Sequence, residues 1–253
     1  MNPLLGQYAD QLSESGVAGD YTSHGAENNL YKIELLLEHD ETNTFGMDEL
    51  LRGVGFEEAY DAVAFQIGNP PDREENPGRG CIDPARTAAG LVETGERIED
   101  FAGSGGRLIF ATGHPGAMIL YYLGLSRWAQ ELGGDVLTVE TRGRYERGVS
   151  LDWADSVATL GDGASLFHTH DPEPMRDVLQ QIGQVDLVVA DHGFAGAAIA
   201  AGVPTIVVMD TNDPAFAVVA GRGADVTVVP MDDNRPLNAY STALDVVRKV
   251  RGK

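Results

Sequence analysis

The sequence contains a single cysteine, Cys81, so it can form neither an intramolecular disulfide framework nor a cysteine-built zinc cluster. Lysine is almost as scarce: only Lys32, Lys249 and Lys253 occur, and the 18 basic residues face 39 acidic ones. The net charge of -21 disfavours nucleic acid and anionic membranes as partners. No apolar run reaches membrane-spanning length, and the opening MNPLLGQYADQLSESG has neither a basic start nor a long apolar stretch. These absences predict a cytoplasmic protein without membrane contact. The acidity itself reads as an adaptation of surface and solubility, and apolar surface on such a protein would support a homodimer.

With 253 residues, 43% of them hydrophobic, the chain can bury the core of one large α/β domain, or of one domain with a smaller partner. Its character changes near residue 103. Before that point AENNLYKIELLLEH, GMDELLRGVGF and RTAAGLVETGERIEDFAG place apolar residues at helical spacings, and IGNPPDREENPGRGCIDP between them reads as a loop. After it, RLIFAT, DVLTVE, SVATLG, SLFHTH, DLVVAD, TIVVMD and DVTVVP read as strands buried on both faces, with helices between them. The expected fold is α/β, a Rossmann-like and mostly parallel sheet with helices on both faces. Residues 1–103 form a helical portion packed on that sheet and residues 104–253 the α/β domain, or the two make one compact unit.

Ligands of open parallel sheets bind beyond the carboxyl ends of the strands. Here those ends carry Thr112, Gly113, His114 and Gly116, then His168, His170 and Asp171, then Asp191 and His192, then Asp210, Asn212 and Asp213, and finally Asp232 and Asp233. Four of the six histidines therefore fall on one edge. Asp171-Pro172 and Asp213-Pro214 each fit an N-cap followed by proline at the first helical position. Histidine is no preferred cap, and His168 and His170, two apart, would share one face of a strand. The turn ATGHPGAM leaves backbone N–H groups facing the space beyond the sheet, an anion site by construction but a weak motif. At the other end of the chain, Asn28-Asn29 fits capping; a lid over the ligand edge would instead let Asn28 or His24 reach a substrate. His39 reads as surface.

Familiar signatures are missing: there is no G-x-G-x-x-G, no Walker A lysine and no G-x-S-x-G elbow. Cys81 and Arg86 in CIDPAR stand one residue too close for a cysteine-phosphatase loop. Asp210 and Asp213 lie three apart, where the haloacid-dehalogenase motif has two. His192 follows an aspartate, where histidine phosphatases have an arginine. Yet ENNL, ATGHPGAMILYYLGLSRWAQELGGDVLT, FHTHDPEPM, DLVVADHGFAGAAIAAGVPTIVVMDTNDPAFAVV and VPMDDN together resemble, in the same order, a bacterial family of about this length that is labelled phosphatase. The resemblance covers most of the chain and implies a phosphatase, but transfers no catalytic role to any position.

Phosphomonoester hydrolysis needs a nucleophile, neutralisation of the phosphate charge and a proton for the leaving oxygen. With no lysine or arginine among the tips, a divalent cation (Mg²⁺, Mn²⁺ or Zn²⁺) is the expected charge source, and Asp and His suit it. The expected metal ligands are Asp191, Asp210, Asp213 and His168. The expected catalytic residues are His168, His170 and His192. Thr112, Gly113, His114, Gly116 and Asn212 would bind the phosphate of a small phosphorylated substrate. An isomerase or lyase of phosphosugars, or a non-catalytic module binding a nucleotide or phosphorylated metabolite, would use the same edge without releasing phosphate.

Overall fold

Alternation along the strands divides the core in two. Leu108, Phe110, Leu187, Val189, Ile206 and Val208 belong to one hydrophobic cluster, while Ile109, Ala111, Val188, Ala190, Val207 and Met209 belong to another. Successive side chains of a strand point to opposite faces, so the sheet is buried on both sides and these central strands are largely apolar.

The computed structural model describes residues 3–69, 80–140 and 143–249. Within them the helices are α1 (Pro3–Ser15), α2 (Ala26–Leu37), α3 (Glu41–Thr44), α4 (Phe56–Ile67), α5 (Pro84–Gly103), α6 (Pro115–Glu131), α7 (Glu173–Ile182), α8 (His192–Ala200), α9 (Pro214–Gly221) and α10 (Ser241–Lys249). The strands are β1 (Arg107–Ala111), β2 (Asp135–Val136), β3 (Ser150–Ala154), β4 (Val157–Gly161), β5 (Leu166–Phe167), β6 (Leu187–Ala190), β7 (Thr205–Met209) and β8 (Val226–Pro230). They make an open sheet in the order β3-β4-β1-β6-β7-β8, parallel from β4 to β8. Apolar residues of α2, α4, α7, α8 and α9 cover one face and those of α1, α5, α6 and α10 the other. Both clusters draw on residues from each side of position 103. No helix among the described residues is long and apolar enough to cross a membrane.

Several local readings change. GMDELLRGVGF forms turns rather than a helix, and the helical spacing resumes one step later as α4. Residues 70–79 of the expected loop lie outside the described residues. SLDWA is a strand, β3, paired antiparallel with β4 at the sheet's edge; its half-buried residues give it no continuous apolar run. Of DVLTVE only Asp135–Val136 enters the sheet, because β2 holds the first half of β1's flank and β4 takes the second half. SLFHTH leaves the sheet after Phe167, so His168 and His170 extend from a loop and not from a strand.

The order of strands fixes where a ligand can bind. The helix after β1 packs on one face and the helix after β6 on the other, so the chain parts between two adjacent strand tips and opens a crevice there. Close packing holds that crevice. A Cβ on Gly196 of α8 would lie 2.1 Å from the carbonyl oxygen of Phe45, whose ring rests against His170 and His192 at centroid distances of 5.0 and 5.8 Å. Gly196→Ala is therefore expected to lower stability by about 1–3 kcal/mol, read as a fall in the denaturant midpoint. An unchanged midpoint would show that this contact is loose.

Candidate active site

The loops after β1, β5, β6, β7 and β8 deliver side chains into one cavity of about 340 Å³, lined by His24, Asn28, Lys32, His114, His168, His170, His192, Asn212, Asp213, Asp233 and Asn234. The turn after β1 is pinned from below by Asp191. One oxygen of its carboxylate accepts the Gly113 N–H at 2.5 Å and the other the Thr112 hydroxyl at 2.7 Å. The Thr112 hydroxyl in turn accepts the His114 N–H at 2.9 Å. Thr112 and Asp191 are thus scaffold for this turn, and a Cβ on Gly113 would strike the Thr169 carbonyl at 2.4 Å. Gly116 is exposed and faces open space.

His192 opens α8 with φ at 46°, a left-handed conformation rarely taken by a non-glycine residue and one that recurs where function holds strain in place. Its Nδ1–H donates to Asp191 at 3.2 Å, which leaves Nε2 toward Asp233, 3.5 Å away. Burial disfavours the imidazolium, but the bond to Asp191 and the charges of Asp191, Asp213 and Asp233 outweigh it and hold His192 at about 10. His114 Nδ1 lies 3.4 Å from the same Asp233 carboxylate. Burial alone would raise Asp233; its bond with His114 and the nearby imidazolium charges prevail and hold it at about 2.

The rings of His114 and His168 stack at 4.5 Å, and those of His170 and His192 at 4.6 Å. His170 donates Nδ1–H to the Thr42 carbonyl at 2.6 Å, and its Nε2 faces His168 Nε2 at 3.1 Å. Desolvation and neighbouring imidazolium charge push His168 down to about 4 and His170 to about 3, so both are neutral with ligand lone pairs at neutral pH.

Around β7 and β8 the carboxylates crowd. Asp210, Asp213, Asp232 and Asp233 are all buried. Asp213 stands at the N-cap of α9 but makes no side-chain cap bond; it lies with His192 and Asp233 instead. Asp171 does bond as a cap, accepting the Glu173 N–H at 2.9 Å, although Pro172 holds the N-cap position of α7. Both oxygens of Asp232 are engaged, by Ser23 N–H and hydroxyl, Asn234 N–H and the Arg235 guanidinium.

Three groups of ligand atoms among the described residues can hold a metal ion: His114, His168 and His192; His192, Asp213 and Asp233; and Asp210, Asp232 and Asp233. His168, Asp210 and Asp213 fall within them; Asp191 does not. His114, His192, Asp232 and Asp233 join them as donors not assigned to a metal from the sequence.

The N-terminal portion supplies the remaining wall. His24, Asn28 and Lys32 recur at intervals of four and present one side of α2 and its approach to the cavity. Gly25, not an asparagine, caps α2, while Asn29 is buried and accepts the Thr211 hydroxyl at 2.9 Å. Lys32 brings to the cavity the cation that the strand tips lack. The four-residue spacing was the sequence signal for this wall. His39 lies apart, 3.8 Å from Asp48.

A parallel α/β sheet whose carboxyl edge gathers histidines, carboxylates and a lysine around a small cavity defines an enzyme of the strand-tip kind. A family model described as Phosphatase matches residues 5–249. The chain is also 32% identical over 250 residues to Phosphatase SCO2771 of Streptomyces coelicolor, a match spanning 94% of this chain and 95% of that protein. The chain belongs to this phosphatase family and is a hydrolase.

Proposed function

We propose that the protein is a metal-dependent phosphomonoesterase for small phosphorylated metabolites. The observation that carries this reading is Asp233, a buried carboxylate set between His114 and His192 and shared by two of the three donor groups. His114, His168 and His192 with Asp213 and Asp233 would hold the ion. Three imidazoles with two carboxylates form a donor set suited to Zn²⁺ or Mn²⁺, and the buried His114 Nδ1 makes only a long approach, 3.4 Å, to Asp233. Asp191 behind His192 supplies the carboxylate that orients a metal-binding imidazole. When bound, such an ion adds positive charge beside the phosphoryl oxygens and acidifies a water nucleophile.

The chain's own residues do the rest. Lys32 adds a cation toward the phosphate and Asn28 and Asn212 offer amide hydrogen bonds, whereas the Gly113 and His114 N–H groups expected to form a phosphate rim are taken by Asp191 and Thr112. The cavity volume suits a metabolite rather than a macromolecular chain.

The test is metal analysis of the purified protein followed by phosphate release from small esters, before and after chelation. Release that disappears with chelation and returns with Zn²⁺ or Mn²⁺ is expected. Release indifferent to chelation would remove the metal from the reading. A phosphorylated ligand that raises Tm without any phosphate release would move the reading to a phosphosugar isomerase, a lyase or a binding module.

A further inference from the structure

Hydrolysis of an alkyl phosphate needs a proton for the departing oxygen, and the histidines assigned above are otherwise engaged. His114, His168 and His192 are donors in the proposed metal set, and His170 is tied to Thr42 and His168. His24 lines the same cavity outside both arrangements. Its Nδ1 lies 2.8 Å from the buried Asp210 carboxylate, and its side chain keeps 28% of its surface exposed. An imidazole that gives Nδ1–H to a carboxylate is favoured as imidazolium and carries its second proton on Nε2. The residue is also held in place: Ser23, next in the chain, donates its N–H and hydroxyl to Asp232 at 2.8 and 2.7 Å.

We infer that His24 is the acid that protonates the leaving oxygen, oriented by Asp210, an assignment that rests on the phosphomonoesterase reading. Water oxygen forms the new bond to phosphorus while the ester P–O bond breaks. The electron pair of that bond stays on the leaving oxygen, which takes the Nε2 proton of His24. The water loses one proton, so the products are an alcohol and inorganic phosphate, and a proton from solvent restores His24. Asp210 is a positioning residue in this scheme.

The experiment compares two esters, p-nitrophenyl phosphate, whose phenolate leaves without a proton, and glycerol 2-phosphate, whose alkoxide does not. His24→Asn is expected to lower turnover of the alkyl ester on the order of a hundred- to ten-thousandfold and of the aryl ester by no more than about tenfold. Asp210→Asn keeps the side-chain volume and should show the same discrimination in milder form; it carries the test if His24→Asn lowers Tm markedly. Equal losses on both esters, or none on the alkyl ester, would overturn the assignment. No phosphate from either ester with the wild-type, metal-loaded protein would overturn the underlying reading and the acid with it.

Discussion

Replacing Asp233 by asparagine is expected to cost at least about a hundredfold in phosphate release and to strip the bound ion from the protein. The carboxylate faces His114 at 3.4 Å and His192 at 3.5 Å and is 3% exposed, so nothing else can take its place between those rings. Asparagine fills the same volume but brings no charge. The imidazolium of His192 keeps Asp191 and the fold survives, which makes the loss specific to the site. Metal stoichiometry and phosphate release should fall together. A variant that kept its ion and its turnover would show that the reaction is run elsewhere on the sheet edge.

Asparagine at Asp213 is expected to raise the Tm of the metal-free protein at pH 8 while removing activity. Burial pushes the Asp213 carboxyl up to about 6; the charge of His192 opposes this and that of Asp233 adds to it. In the unfolded chain the same group ionises near 3.8. Below that value both states hold the proton, and no stability is lost. Between 3.8 and about 6 the unfolded chain has released the proton that the folded protein still holds, so stability falls across that window and above about 6 the loss levels off at about 3 kcal/mol. In a chain of this size that corresponds to roughly 5–10 °C in Tm. Calorimetry after chelation at pH 5 and pH 8 should show a wild-type decline that Asp213→Asn lacks. A lower Tm for the variant at pH 8 would mean that attraction to His192 outweighs burial. The opposition of stability and activity at one residue is what a cation site predicts, since bound ion offsets the crowding.

Legibility in the sequence followed the reach of local rules. Strands buried on both faces read as apolar runs, so β1, β4, β6, β7 and β8 and the residues at their tips were readable, and with them the edge where the site lies. β3 escaped because an edge strand needs no such run, and the turns at 48–53 imitated helix spacing without the length to form one. Within the site, His168, His170 and His192 were readable as tip residues, whereas the division of labour among the aspartates was not. Asp191 and Asp213 have the same sequence setting, a strand end before a helix, yet one braces a turn and the other faces the imidazoles. That difference depends on neighbours in the sheet: β6 lies beside β1, whose turn Asp191 braces, and β7 does not. Lys32 and His24 lay beyond any strand-tip argument, because only packing of the N-terminal portion brings α2 over the edge.

The bonds between Ser23 and Asp232 join positions 209 residues apart. Contacts of that span carry the largest closure cost and form late when a chain folds. During synthesis every histidine has been made before Asp232 and Asp233 exist, and the carboxylates of β8 come last. An unfinished chain on the ribosome therefore displays imidazoles with neither the acidic cluster that would retain a cation nor the anchor that seats His24.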